Sequence, residues 1–283
     1  MLHQRITLNC NGKILSLEDP IVMGILNVTP DSFFDGGRYK TIETILPQVA
    51  KMLNEGASII DVGGMSSRPG ADLVEEGKEL ERVLPIIELI LKNFPETIIS
   101  VDTIRASVAR QSIQAGAGVI NDISFGQFDD QLLSTVAKYS VPYVLMHMKG
   151  EPRSMQKDPV YKDVVIEVLD FFIEKVGQLR ALGMKDIILD VGFGFGKTIE
   201  HNYDLLKNLN AFRILGIPLL VGLSRKSMIY KYLNINAKEA LNGTTALHME
   251  SLNNGAKILR AHDVKEAIET IHLWKMLKKQ NLR

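Results

Sequence analysis

The stretch Ile187-Ile188-Leu189-Asp190-Val191-Gly192-Phe193-Gly194-Phe195-Gly196-Lys197-Thr198 decides how the rest of the chain is read. A short apolar run ends on a carboxylate and then breaks into glycines alternating with phenylalanine, the pattern of a buried strand opening into a loop. Aspartate at the end of such a strand is costly unless something pairs with it. The same grammar recurs in Ile98-Ile99-Ser100-Val101-Asp102, Val119-Ile120-Asn121-Asp122, Ile59-Ile60-Asp61 and Ile25-Leu26-Asn27. Strand after strand delivers a polar side chain to one end.

Between these strands, apolar residues recur at helical spacing, as in Ile42, Ile45, Leu46, Val49 and Leu53 ahead of Gly56. The expected strands are 21–26, 57–62, 97–101, 118–121, 142–147, 186–190, 217–222 and 256–260. The expected helices are 42–54, 74–93, 105–115, 129–139, 160–181, 202–210, several across 226–254, and 263–279. Ahead of them, Asn11-Gly12 between two apolar runs marks a hairpin over 5–17. About eight alternating units indicate a parallel α/β sheet closed as a TIM (β/α)8 barrel, with a doubly wound sheet plus an added domain as the alternative. No linker divides the 283 residues, so one barrel domain over 1–283 is expected. Two long loops, 27–40 and 63–71, are rich in glycine, proline and small polar residues, as functional or mobile loops are.

Composition narrows the function. Lysine plus arginine and aspartate plus glutamate both number 33, which gives no electrostatic footprint for nucleic acid or an anionic membrane. Any anion site must be local. A single cysteine, Cys10, excludes a disulfide scaffold and suits a reducing compartment. No apolar stretch approaches the roughly 18 residues of a membrane span, and the polar N-terminus lacks a signal-peptide core. A soluble cytoplasmic protein is expected.

Asn27-Val28-Thr29-Pro30-Asp31-Ser32-Phe33, Asp61-Val62-Gly63-Gly64, Ser67-Arg68-Pro69-Gly70, Asp190 to Lys197, Ser224-Arg225-Lys226-Ser227 and Arg260-Ala261-His262-Asp263-Val264 together resemble the dihydropteroate synthases. The resemblance runs from about residue 3 to 270. It implies a TIM barrel that joins 6-hydroxymethyl-dihydropterin pyrophosphate to p-aminobenzoate in folate biosynthesis, releasing pyrophosphate, with sulfonamides as competitors. It further implies magnesium on Asn27, with Asp35 assisting, and a homodimer. Phe33, Ser67, Pro69, Phe195 and Ser227 become the p-aminobenzoate contacts. Two departures, Met65 for a common glutamate and Ser67 for a common threonine, bear on that subsite and on sulfonamide sensitivity. Ala261 also replaces a commonly larger residue.

The chemistry of the residues runs parallel. A pterin presents an amide N–H beside an exocyclic amine, a pair of donors that a carboxylate such as Asp190 accepts side by side. Asn121 offers donor and acceptor to the neighbouring ring nitrogen and amine, Asp102 accepts from the remaining ring N–H, and Lys226 donates on the far edge. Arg260 and His262, two apart at the end of the last strand, share a side and can bind pyrophosphate together with Arg68. Departure of pyrophosphate ahead of amine attack leaves a cation that Asp102 stabilises, so Asp102, Lys226 and Asn27 are the expected catalytic residues. Closure of the two long loops over the first substrate would complete the second pocket.

Other readings compete. Asp102 could cap the following helix, Asn121-Asp122 could form a turn, Arg260 could pair with Asp263 or Glu266, and Phe195 could be core. Gly-x-Gly-x-Gly-Lys-Thr approaches a phosphate-cradling P-loop, but Val191 occupies the place of its first glycine. The histidines show no paired zinc-ligand spacing on one helix. A methyltetrahydrofolate-dependent methyltransferase or a non-catalytic pterin-binding paralogue would share the pterin carboxylates. Helix 263–279, with Ile268, Ile271, Trp274 and Leu277, could serve a dimer or pack on the barrel.

Overall fold

A computed structural model describes residues 6–28, 38–65, 74–150, 155 and 159–279. Strands β1 (Thr7–Cys10) and β2 (Lys13–Ser16) form an antiparallel hairpin. Its turn residues, Asn11 and Gly12, have φ of 54° and 89°, the left-handed pair that a two-residue hairpin turn requires. Eight parallel strands follow: β3 (Ile21–Asn27), β4 (Ile59–Gly63), β5 (Ile98–Asp102), β6 (Val119–Asp122), β7 (Tyr143–Met146), β8 (Ile187–Asp190), β9 (Leu219–Val221) and β10 (Ala256–Ala261). They close in the order β10-β3-β4-β5-β6-β7-β8-β9, so the barrel replaces the open-sheet alternative.

Side chains alternate between the two faces of a strand, and this period of two builds the barrel interior in layers. Met23, Ile59, Ile98, Val119, Val144, Ile188, Leu220 and Ile258, one from each strand, pack into one apolar cluster with Leu8, Cys10, Leu15 and Leu17 of the hairpin region. The hairpin closes this end. Burial of each such aliphatic side chain is worth about 1.5–3 kcal/mol. Two residues further along, the inward positions are Ile25, Asp61, Ser100, Asn121, Met146, Asp190, Gly222 and Arg260. The apolar floor therefore supports a largely polar layer.

The outward faces of the strands pack on the helices. Helix Arg38–Asn54 buries Ile45, Val49 and Met52, and helix Glu76–Asn93 buries Val83, Ile86, Ile87 and Ile90. Helix Val164–Ala181 starts where Asp163 accepts hydrogen bonds from the amides of Val165 and Ile166, four residues later than its apolar spacing alone predicts. The helix expected at 202–210 instead begins at Ile199, because Thr198 and His201 form a reciprocal capping box, and it ends at Lys207 before a 3-10 turn, Leu209–Leu215. In the last helix, Val264–Lys279, Ile271 is buried and Ile268 and Trp274 pack against the core, whereas Leu273, Met276 and Leu277 are exposed. Leu277 thus leaves the expected barrel-facing stripe. Among the described residues, no helix is long and apolar enough to cross a membrane.

Candidate active site

Polar residues of the upper layer meet in one network. Asp61, on β4, accepts at Oδ2 from Arg260 Nε (2.7 Å) and from Asn121 Nδ2 (3.2 Å), while Arg260 Nη2 donates to Asp102 Oδ2 (3.2 Å). Strands β4, β5, β6 and β10 are thereby tied through their inward side chains. Asp190 accepts at Oδ1 from the Gly192 amide (2.8 Å). Lys226, just beyond β9, donates from Nζ to the carbonyl of Phe193, with the same Nζ 4.7 Å from the centre of the Phe195 ring.

Burial strains the charges here. It pushes the Asp102 carboxyl up to about 7, against the pull of Arg260, with Asp61 adding to the upward shift. It raises Asp190 too, opposed by Lys226, the Gly192 amide and Arg260. The Lys226 ammonium is pushed down to about 8 by the same desolvation, against the pull of Asp190. Three carboxylates and two cations gather at this end of the barrel, so a ligand that brings N–H donors or positive charge is favoured.

The competing structural readings separate cleanly. Asp102 does not cap helix Ala106–Gln114: the Ala106 amide donates to Asp129 Oδ2 (2.7 Å). Asp122 takes the turn role, accepting from the Ser124 amide and hydroxyl, the Gly126 amide and the Tyr143 hydroxyl, and Asn121 is left facing inward. Asp263 is held bidentately by Arg225 at 2.8 and 2.9 Å, and Arg260 turns inward to Asp61 and Asp102 instead of forming the alternative surface pair with it. His262 is exposed, with Nδ1 3.1 Å from the hydroxyl of buried Ser224. Ser227 opens the short helix Ser227–Tyr230 and is partly exposed.

The glycine-rich loop after β8 is built around a buried lysine. Lys197 is 2% exposed and donates to the carbonyls of His147 (3.2 Å), Gly192 (3.1 Å) and Phe195 (3.0 Å), with His147 Nδ1 at 2.9 Å. Burial pushes its ammonium down to about 7. A lysine tied to carbonyls knots its own loop instead of reaching for phosphate, which removes the P-loop reading. Gly192 and Gly196, at φ of 70° and 61°, are required because a Cβ would lie 2.0 Å from the His147 carbonyl oxygen and 2.1 Å from that of Lys149. Phe195 is core, packing with Met65, Ile104, Ile123, Met146 and Met155, and its ring also lies under Lys226.

Asn27 stands partly exposed at the end of β3. Phe33, Asp35, Ser67, Arg68 and Pro69 lie outside the described residues. Among the described residues, no three His, Cys, Asp or Glu side chains group as a metal site. Asp61 is the site residue to which sequence reasoning assigned no role. Its signal was present, since Ile59-Ile60-Asp61 shares the strand-end grammar, but residue type alone does not name Arg260 as its partner.

The pterin binding enzyme family matches residues 23–262. The dihydropteroate synthase of Haemophilus influenzae is 45% identical over 269 residues, covering 94% of this chain and 97% of that protein. A crystal structure of Yersinia pestis dihydropteroate synthase in a sulfonamide drug complex superposes with a TM-score of 0.91 at 42% identity, covering 97% of this chain and all of that one. The Xanthomonas albilineans dihydropteroate synthase with 4-aminobenzoic acid gives 0.90 at 39% identity, covering 97% and 99%. Such identity over nearly the full length, on a barrel whose upper layer is polar in this way, sets aside the methyltransferase reading. The chain belongs to the dihydropteroate synthases, within the pterin-binding enzymes.

Proposed function

We propose that this chain condenses 6-hydroxymethyl-7,8-dihydropterin pyrophosphate with p-aminobenzoate, giving 7,8-dihydropteroate and pyrophosphate in folate biosynthesis, and that sulfonamides compete for the second substrate. The observation that carries the reading is the convergence of Asp102, Asn121, Asp190 and Arg260 from four strands above an apolar floor, with Lys226 beside Asp190. Asp190 accepts the paired N–H donors of the pterin, Asn121 and Asp102 take the adjoining edge, and Lys226 donates to the far side. Arg260 and His262, the latter steadied by Ser224, hold the leaving pyrophosphate. Phe195 and Ser227 flank the arylamine.

The carbon–oxygen bond to pyrophosphate breaks first, and its electron pair leaves with the phosphate. The resulting cation spreads into the dihydropterin ring, where ionised Asp102 stabilises it. The neutral arylamine nitrogen then forms the new bond and loses its proton to water. Asn27 offers a magnesium ion one neutral oxygen, a fit only for an ion whose other positions are filled by pyrophosphate oxygens and water, and such an ion would neutralise charge on the leaving group. A homodimer is supported by exposed Leu273, Met276 and Leu277, and a cytoplasmic location by the lone buried thiol of Cys10.

The test is pyrophosphate release with both substrates and with each omitted. Sustained release, matched by dihydropteroate, is expected only with both. No release from folded protein supplied with magnesium and both substrates would sink the reading.

A further inference from the structure

Asp61 is the most deeply buried of the three carboxylates of the site, at 1% exposure against 6% for both Asp102 and Asp190. Its Oδ2 takes two donors, Arg260 Nε and Asn121 Nδ2, while its Oδ1 is buried with no hydrogen-bond partner. Arg260 is the cation on which this charge depends. A buried carboxylate deprived of its cation is expensive, whereas the intact pair adds little to net stability, so the arrangement is poorly explained by folding alone.

The guanidinium meets the two carboxylates through Nε and Nη2, and neither bond uses Nη1. An anion arriving from the mouth therefore shares an arginine already engaged from within the barrel. Every increment of attraction to the anion is weakened by the attraction to Asp61. We propose that Asp61 is a positioning residue that competes with pyrophosphate for Arg260 and so keeps the product from being held too tightly. This rests on the reading of Arg260 as a pyrophosphate ligand. Substrate, whose pterin is held separately by Asp190 and Lys226, keeps its affinity; free pyrophosphate lacks that anchor and leaves.

Four proteins test this: the parent, Asp61→Asn, Arg260→Gln and the double variant. Inorganic pyrophosphate is titrated into each by calorimetry in magnesium buffer, with thermal melts to confirm folding. Asparagine keeps an oxygen for Arg260 Nε and removes the charge. Asp61→Asn is expected to bind pyrophosphate about tenfold more tightly and to show stronger product inhibition, the opposite sign from damage to the fold. In the Arg260→Gln background the same change is expected to have an effect below about twofold, because the competition has no arginine to act on. Should the asparagine form not fold, Asp61→Ser, smaller and also neutral, takes its place with the same expectation. Unchanged or weaker pyrophosphate binding by folded Asp61→Asn, beside a weakened Arg260→Gln, overturns the inference alone. An equal gain with and without Arg260 also overturns it, by showing a general charge effect. Parent-like binding by Arg260→Gln overturns the reading of Arg260 and this inference with it.

Discussion

Ile188 and Asp190 stand two residues apart on one strand, both inside the barrel, yet they belong to regions built for opposite ends. Ile188 lies in the apolar floor, where each strand gives one side chain and the hairpin seals the base. Asp190 lies in the layer above, where burial makes ionised carboxylates unfavourable until partners or a ligand compensate them. The lower layer gains free energy on folding; the upper one holds groups whose interactions are completed by binding. A barrel with the same backbone and an apolar second layer would fold, but would recognise nothing at its mouth.

The sharpest break between the layers comes from substitution within that one strand. Ile188→Ala is expected to destabilise the fold by about 2–5 kcal/mol through lost burial and the cavity left behind. Pterin affinity per folded molecule should stay within about threefold, since the two sites share no hydrogen bond. Denaturant melts and calorimetry measure the two quantities separately. A large fall in affinity without a fall in stability would contradict the division.

Asp190→Asn should give the mirror result. The amide turns N–H toward the donors of the pterin and loses a charge-assisted pair, so affinity is expected to fall by about 2–4 kcal/mol. Stability should be unchanged or improved at pH values above the ordinary carboxylate range. The sign follows from the raised folded-state carboxyl: its ionised form costs the folded protein, a cost relieved as pH falls and absent in a neutral amide. Pterin affinity within about threefold of the parent would refute the assignment of Asp190.

This contrast also explains what was legible beforehand. Strands, their polar ends and the Asn11-Gly12 hairpin follow from local patterns of period two and from turn chemistry, so eight units and the barrel could be read from one chain. Asp102, Asn121 and Asp190 were legible because each closes an apolar strand. Partner choice was not. That Arg260 turns to Asp61 and Asp263 to Arg225 depends on which strands become neighbours when the barrel closes. Lys197 carries no role in the sequence reading, because its purpose, gathering carbonyls from His147, Gly192 and Phe195, needs the adjacent strand to be seen. The start of helix Ile199–Lys207 was misplaced because the Thr198–His201 capping box is a side-chain event that apolar spacing does not register.

A smaller effect tests the electrostatics of the upper layer. Asp102 must be ionised to stabilise the cation and Lys226 protonated to donate. With the carboxyl pushed up to about 7 and the ammonium down to about 8, kcat/KM should rise with pH toward 7 and fall above 8. Below 7 the decline should approach about tenfold per pH unit. In Asp102→Asn the residual rate should lose the acidic limb and keep the basic one. An unchanged acidic limb would assign it to another group.

The smallest effect is expected at the far end of the barrel, at Asn11. Its backbone is left-handed, and its side chain donates to the carbonyls of Ile113 (3.1 Å) and Ala117 (3.2 Å), fastening the hairpin to the connection between helix Ala106–Gln114 and β6. Asn11→Ala removes both bonds, each worth about 0.5–1.5 kcal/mol at most in this partly buried place, and puts a Cβ without local hydrogen bonding into the left-handed region. A loss of about 1–2 kcal/mol in stability is the expected sum, read as a lower melting temperature. Turnover per folded molecule should not change, because the floor residues contributed by the eight strands stand between the hairpin and Asp61. A change of more than about threefold in KM for either substrate would mean that the floor transmits the position of the hairpin to the polar layer. The two layers would then be mechanically coupled, and the separation seen between Ile188 and Asp190 would not extend around the barrel.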